Sequence, residues 1–249
     1  MRVFRVSALP AVLVAATFAV ALAPGDEDPW KSQTFLDDYS LLKPVSTTAG
    51  REYVYFAAGT EERLAAFDAV MVDQPEIAVS PDSPYHSAKP ADLEAISEFT
   101  RGAIVASLQA RGYRIAEQAG PNVLYMRVAL TDLHLKRKRR GVLSYTPIGA
   151  VVHGVKAAVQ EVMKDVDILS MAGQAEISAS DTGEVLGALV CLRTATAPPD
   201  APARPERMTF EEFGARVQEY GERMACRLAN ARRPAERRID CSGPAVRGS

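Results

Sequence analysis

Five consecutive basic residues form the strongest local concentration of charge in this sequence. They lie within residues 134–147, where few apolar positions recur, and this pattern predicts a loop. Such a loop could contact anionic lipid head groups or another polyanion, each basic residue contributing about 1 kcal/mol near an anionic membrane. A solvated loop without a binding role is the alternative, and it is favoured. The candidate contact residues are Lys136, Arg137, Lys138, Arg139 and Arg140.

Three cysteines could form a cross-link or act as thiols. A disulfide between Cys226 and Cys241 would close a loop of about 15 residues, which stabilises a fold by about 3 kcal/mol in the chain-entropy model. Cys191 lies in an apolar segment and is expected to behave as a small buried apolar residue. Three free thiols are the alternative, so the sequence leaves the state of these residues open.

The remaining reactive side chains form no recognisable catalytic group. His86, His134 and His153 lack the i, i+4 spacing and the nearby carboxylate of common zinc sites. Asp165 and Asp167, two positions apart, fit a solvated strand entry better than a catalytic carboxylate pair. The sequence also lacks a G-x-S-x-G element, a P-loop and a dinucleotide-binding glycine pattern. We therefore predict no catalytic residue, no cofactor and no metal.

The N-terminus has the pattern of a signal peptide over residues 1–23. Arg2 and Arg5 precede an uncharged apolar stretch, and small residues then allow cleavage after Ala21. An uncleaved membrane anchor is the alternative, because the stretch is just long enough to span a bilayer. Either outcome predicts an exported protein, periplasmic or envelope-associated, in a compartment that permits disulfides.

Behind this leader we predict an extended lead-in (24–50), a single domain (51–230) and a flexible tail (231–249). Apolar residues recur with helical spacing in 90–112, 148–163 and 209–233. Thr209 and Glu212 form a capping box at the start of the last helix. The predicted strands occupy 53–56, 68–79, 113–117, 124–131, 168–179 and 185–192, with a tight turn at Asp181-Thr182-Gly183.

This order of elements predicts an α+β fold. Runs of neighbouring strands alternate with helices, which indicates an antiparallel or mixed β-sheet with about three helices packed on it. A hydrophobic fraction of 47% and a charged fraction of 24% exclude a largely disordered chain and a polytopic membrane protein. The net charge of −2 gives no reason to expect nucleic acid as a partner.

Several fragments resemble one family of bacterial envelope proteins, catalogued as domain of unknown function 3313 and including many lipoproteins. The resemblance covers about residues 34–230 and implies an envelope location and an exported α+β domain, with no catalytic residues to carry over. The lipobox cysteine of the lipoproteins is absent here. The fragments are TFLDDYSLLKP (34–44), FDAVMVD (67–73), GPNVL leading to ALTD (120–132) and DTGEVL (181–186).

Taken together, these patterns favour a non-catalytic binding or structural accessory module of the cell envelope. An envelope enzyme with a dispersed active site is one alternative. A peripheral membrane-surface protein that uses the basic loop 136–140 is another. The expected partner is an unknown envelope protein or a polyanionic envelope component, and the oligomeric state stays open.

Overall fold

Strands of one mixed sheet dominate this computed structural model, which describes residues 34–47, 50–85, 87–137, 155–193 and 208–241. Within these residues the strands are β1 (Lys43–Thr47), β2 (Gly50–Phe56), β3 (Ala69–Val72), β4 (Glu76–Val79), β5 (Arg114–Ile115), β6 (Val123–Arg137), β7 (Val166–Ala179) and β8 (Val185–Arg193). The helices there are α1 (Thr60–Leu64), α2 (Pro90–Ala110), α3 (Val155–Asp165) and α4 (Phe210–Ala231). Helices on a mixed sheet confirm the predicted α+β class.

The sheet combines an antiparallel half with a short parallel edge. Its order is β1-β2-β8-β7-β6-β3-β5, and β4 also pairs with β6. The segment 68–79 was predicted to be one strand, and this is wrong because it forms two, β3 and β4. Both run parallel to β6. Pro75 separates the two strands because it has no N–H to donate to the ladder. Its carbonyl accepts a hydrogen bond from Ser97 Oγ at 2.5 Å.

β6 continues into the region predicted as a loop, 134–147. Asp132 adopts a φ of +49°, and the pairing of β6 with β7 shifts register there. This irregularity changes which face successive residues present to the core. Leu130 before it and both Leu133 and Leu135 after it are therefore buried in one apolar cluster. The alternation of apolar and polar residues ends at this bulge. The strand predicted from it, 124–131, is therefore shorter than β6.

α2 and α4 lie against each other on one face of the sheet. α4 begins with the predicted capping box, in which Thr209 Oγ1 accepts from the Glu212 N–H at 3.1 Å and the Glu212 carboxylate accepts from the Thr209 N–H at 2.9 Å. Gly221 allows the close approach of the two helices, since a Cβ there would lie 3.2 Å from Ile104 Cα. The predicted helix beginning at Pro90 is also confirmed.

Two further predictions concern the segment between β6 and β8. α3 overlaps the helix predicted for 148–163 and buries Val159 and Val162. The part of that prediction before residue 155 lies outside the described residues. The turn between β7 and β8 is confirmed, with Gly183 in the left-handed region at φ +73°.

Short elements of regular structure lie on both sides of the predicted domain, 51–230. β1 lies within the predicted lead-in, 24–50, and pairs with β2. On the other side, the predicted tail 231–249 contains a 3-10 turn at Ala235–Arg237. The predicted signal peptide, 1–23, lies outside the described residues. Among the described helices, none has the length and apolar character needed to cross a bilayer.

Candidate functional site

A cavity of about 350 Å³ lies between α4 and the sheet face that the helices cover. Its size falls within the range of small-molecule binding sites. The strands β2, β6, β7 and β8 supply its floor, and α1 and α4 supply much of its wall. The apolar side chains that line it include Val54, Leu64, Met126, Ile177, Met224 and Leu228.

Exposed apolar side chains mark the boundary of the cavity with solvent. Val45 on β1 and Phe56 on β2 line the cavity, yet they are 36% and 46% exposed. Gly187 on β8 lies beside the Phe56 ring. A Cβ at Gly187 would lie 2.8 Å from both Phe56 Cδ1 and the Tyr55 carbonyl oxygen, so this strand approach requires glycine.

One side of the cavity is bounded by a buried charge cluster. Glu52 on β2 is 2% exposed and contacts two arginines of α4. Its Oε1 lies 2.5 Å from Nη1 of Arg223, and its Oε2 accepts a hydrogen bond from Nη2 of Arg227. Arg223 also lies 3.3 Å from Glu219, one turn earlier in the helix. Of these residues, Arg227 lines the cavity.

Some polar atoms of this region have no hydrogen-bond partner among the described residues. They include Nη1 of Arg227, Nε of Arg223 and the hydroxyl of Tyr220, all of which are buried. Burial raises the pKa of Tyr220 well above its usual value. The phenol therefore stays neutral over the physiological pH range. A buried donor without a hydrogen-bond partner is unfavourable for folding. Of the three residues, Arg227 is the one that lines the cavity.

The C-terminal segment forms another wall of the cavity. Cys241 lines the cavity and is disulfide-bonded to Cys226 of α4, with 5.8 Å between the Cα atoms. Asn230 Nδ2 donates to the Ile239 carbonyl at 2.7 Å, and Ile239 N–H donates back to Asn230 Oδ1 at 3.1 Å. These contacts hold the described start of the predicted flexible tail against α4.

Cys191 lies in a buried environment that makes its thiol unreactive. It lies on β8, buried near the charge cluster, and is not disulfide-bonded. Burial first, and then the negative charge of Glu52, raise the pKa of its thiol from 9.0 to about 12. At neutral pH the thiol is protonated, and a protonated thiol is a poor nucleophile.

The N-terminal fragment that carries the family resemblance covers the opposite face of the sheet. Phe35 and Leu36 are buried there, and their N–H groups both donate to the Tyr39 hydroxyl at 3.2 Å. That hydroxyl donates to Oε1 of the fully buried Gln174 at 2.8 Å. Arg127 lies over the Phe35 ring, 4.8 Å from its centroid. The fragment therefore has a structural role.

The basic run predicted from the sequence lies apart from the residues that line the cavity. Lys136 and Arg137 are exposed and are the last two residues of β6, not part of a loop. Lys138, Arg139 and Arg140 lie outside the described residues. His134 lies in β6, and within the described ranges no group of three or more potential metal ligands forms.

Sequence reasoning missed the Glu52 cluster and the cavity. One signal was available, because Arg223 and Arg227 lie four residues apart beside the apolar stripe of α4 that contains Met224 and Leu228. Their partner, Glu52, is 175 residues from Arg227 in the sequence. The pairing depends on how β2 joins β8 and on how α4 crosses the sheet, and neither is a local pattern.

Comparison with protein families identifies the class to which the chain belongs. The model of the family described as "Protein of unknown function (DUF3313)" matches residues 31–210. This match spans more than half of the chain, so the protein belongs to that family. The resemblance stated from the sequence fragments is thereby confirmed.

Solved structures provide a weaker comparison. A PelC dodecamer from Paraburkholderia phytofirmans is 13% identical to this chain, with a TM-score of 0.33, and the match covers 73% of this chain and 96% of that chain. A variant PelC dodecamer from the same organism is 15% identical, with a TM-score of 0.26 and coverage of 60% and 75%. Comparison with curated proteins found no match. Likeness at these TM-scores supports no functional argument.

Proposed function

We propose that this chain is an exported cell-envelope protein that acts as a non-catalytic binding module. The observation that carries the proposal is the apolar cavity of about 350 Å³ between the sheet and α4. A largely apolar cavity that reaches solvent is suited to an apolar ligand.

The chemistry of the cavity favours binding over catalysis. Among the described residues that line it, there is no Asp, Ser or His, and the carboxylate present, that of Glu61, is ion-paired with Arg238 at 3.0 Å. The nearby Cys191 thiol has a pKa of about 12 and is protonated at neutral pH. An envelope enzyme with a dispersed active site is the competing proposal, and Glu61 is the residue of this cavity that would have to act in it.

Export is supported by two features of the sequence. The first residues have the charge and apolar pattern of a signal peptide. The Cys226–Cys241 disulfide is typical of an oxidising compartment. A phosphatase reporter that is active only outside the cytoplasm, fused behind residue 23, tests this proposal. We expect activity, and a reporter trapped inside the cell would contradict export.

Occupation of the cavity can be tested with the neutral fluorophore N-phenyl-1-naphthylamine. We expect its fluorescence to rise on binding to the protein, because the dye moves from water into an apolar site. Ala231→Phe should weaken this signal by filling the cavity, since Ala231 lines it at the end of α4. Ala110→Phe is the matched control, because Ala110 is the exposed last residue of α2 and does not line the cavity.

Each result of this experiment has a clear meaning. A signal lost in A231F and kept in A110F supports the cavity as the binding site. Absence of dye binding to the unmodified protein, or equal binding by all three proteins, would overturn it. Circular dichroism of each variant checks that the substitution has not unfolded the domain.

A second candidate function is contact with an anionic membrane surface. The exposed side chains of Lys136 and Arg137 at the end of β6 favour it, because they begin the run of five basic residues. Co-sedimentation with vesicles that contain phosphatidylglycerol should then fall when Lys136 to Arg140 are changed to Ser. Unchanged binding, or none by the parent protein, would contradict this function.

A further inference from the structure

The segment that follows α4 contacts two of the helices that border the cavity. We call residues 234–241 the strap, and two of its residues, Arg238 and Cys241, line the cavity. Cys241 is disulfide-bonded to Cys226 of α4. Nη1 of Arg238 lies 3.0 Å from Oε2 of Glu61, which lies on α1 and also lines the cavity. The strap is therefore attached to α4 at one point and to α1 at another.

The two attachments differ in strength. The disulfide is covalent, and the two hydrogen bonds between Asn230 and the backbone of Ile239 also hold the strap to α4. The ion pair with α1 is exposed, since the side chains of Arg238 and Glu61 are 37% and 66% accessible to solvent. Exposed ion pairs are weak and are screened by salt. The attachment to α1 is therefore the one that opens readily.

This ion pair lies at the boundary between the cavity and solvent. Phe56, which lines the cavity and is 46% exposed, ends β2, and α1 begins four residues later at Thr60. Glu61 is thus close in the chain to an exposed lining residue, and its pair with Arg238 connects α1 to the strap. An uncharged ligand gains nothing from either charge, so the closed pair is an obstacle to its entry.

We propose that the Arg238–Glu61 ion pair is a gate, and that an apolar ligand enters the cavity when this pair opens. The inference rests on the proposed binding function, because it concerns access to the same cavity. The attachment of the strap to α4 keeps Arg238 opposite Glu61, so the pair re-forms after each opening. Such a gate controls the rates of entry and release more than the affinity, since it closes over the empty and the occupied cavity alike.

Stopped-flow fluorescence with N-phenyl-1-naphthylamine and the full chain measures how fast the dye enters and leaves. We expect E61Q and R238Q each to raise both rate constants about two- to fivefold, the scale of one exposed ion pair, and to leave the Kd nearly unchanged. R63Q is the matched control, because Arg63 also lies on α1 and pairs with Glu184 at 2.5 Å, but neither residue lines the cavity. Its rate constants should equal those of the parent.

Exchange of the two charges separates the effect of the pair from that of each residue. E61R alone places two cations together and should raise both rate constants, because the pair cannot form. E61R combined with R238E restores an ion pair and should return the rate constants close to those of the parent. Salt gives a test that needs no substitution. About 1 M sodium chloride should accelerate binding to the parent but not to R238Q, because salt screens exposed charges.

A double-mutant cycle tests the role of the disulfide. C241S removes the covalent attachment of the strap to α4, so Arg238 is no longer held opposite Glu61. R238Q should therefore change the rate constants less in the C241S protein than in the parent. An equal effect of R238Q in both proteins would show that the disulfide does not position the gate.

The outcomes distinguish this inference from the proposed function. Rate constants that stay unchanged in E61Q and R238Q, or that rise equally in R63Q, overturn the gate. Acceleration in E61Q or R238Q alone also overturns it, because the two variants break the same pair. The cavity then stands if the dye still binds and A231F still blocks it. If the dye does not bind to the unmodified protein, both the inference and the proposed function are overturned.

Discussion

Glu52 of β2 and Arg223 of α4 form an ion pair in the protein interior, with 2.5 Å between Oε1 and Nη1. Both side chains are almost fully buried, at 2% and 4% exposed. Removing Glu52 would leave Arg223 with Glu219 alone, at 3.3 Å, and would take the buried carboxylate from Arg227, which is unfavourable because a poorly paired charge is poorly solvated there. The pair therefore holds α4 in one position over the sheet, next to the cavity.

We predict that Glu52→Gln lowers the free energy of unfolding by about 3–5 kcal/mol, because two arginines lose their shared buried carboxylate. Urea denaturation followed by circular dichroism measures the change. Glu184→Gln is the control, since Glu184 also lies 2.5 Å from an arginine, Arg63, but both are exposed. A much smaller loss is expected there. Similar losses in the two variants would show that burial does not determine the effect.

The close contact between α2 and α4 makes a second prediction. Gly221→Val should destabilise the protein by about 1–3 kcal/mol, because even a Cβ there would lie 3.1 Å from Ser107 Oγ and 3.2 Å from Ile104 Cα. Gly102→Ala in α2 should instead stabilise it by about 0.5–1 kcal/mol, since a Cβ meets nothing within 4 Å. Thermal unfolding of both variants gives the comparison. A stabilising effect of G221V would contradict the close packing.

Local patterns were sufficient to predict much of this fold. The period of apolar residues and the terminal signals defined α2 and α4, and Gly183 defined the β7–β8 turn, because these features depend on neighbours in sequence. Breaks in the pattern were harder to predict. The bulge at Asp132 shifts the alternation within β6, and Pro75 divides a strand while both halves stay paired to the same neighbour.

The candidate site could not be predicted in the same way. Glu52 precedes a short apolar strand and by sequence alone could lie on an exposed face. It is buried because β2 pairs with β8 inside the sheet and α4 covers that face, which are both long-range arrangements. The Cys226–Cys241 pairing could be proposed from the sequence because the two residues are 15 positions apart. Contacts between residues close in sequence, such as Cys226 and Cys241, could be predicted, whereas the contact of Glu52 with Arg227, 175 residues away, could not.

The disulfide itself should be detectable by mass spectrometry. Alkylation of the unfolded protein without reduction should label Cys191 alone, because Cys226 and Cys241 are bonded to each other. Reduction before alkylation should label three cysteines. Cys241→Ser should lower stability by about 3 kcal/mol in the chain-entropy model. Three labelled cysteines in the non-reduced sample would contradict the disulfide.

Cys191 also makes stability depend on pH in the alkaline range. The pKa of its thiol is about 12 in the folded protein against 9.0 for an ordinary thiol. Between these values the unfolded chain releases a proton that the folded protein keeps, so stability falls as the pH rises. At about pH 10 the loss is about 1.4 kcal/mol. Well below pH 9 the thiol is protonated in both the folded and the unfolded protein, and no stability is lost.

Comparison with Cys191→Ala isolates this effect from other titrating groups. The difference in the free energy of unfolding between the parent and C191A should shrink by about 1.4 kcal/mol from pH 7 to pH 10. Urea denaturation at both pH values, without reducing agent, provides the measurement. A difference that is the same at both pH values would mean that the thiol titrates alike in the folded and unfolded states.

The family fragment at the start of the domain provides the last prediction. The Tyr39 hydroxyl accepts from the N–H groups of Phe35 and Leu36 and donates to the buried Gln174. Tyr39→Phe should therefore lower stability by about 1–3 kcal/mol, because three buried or half-buried groups lose a partner at once. It should also speed amide hydrogen exchange at residues 35 and 36, which denaturation alone would not reveal.

Tyr125→Phe is the matched control for this substitution. The Tyr125 hydroxyl donates to an Asp73 carboxylate oxygen at 2.5 Å, but this pair is exposed to solvent. Water can replace that hydrogen bond, so we expect a smaller loss of stability and no change in exchange at residues 35 and 36. If Y39F and Y125F behave alike, the N-terminal fragment is not held to the sheet by Tyr39. The burial of Phe35 and Leu36 would then depend on their apolar contacts alone.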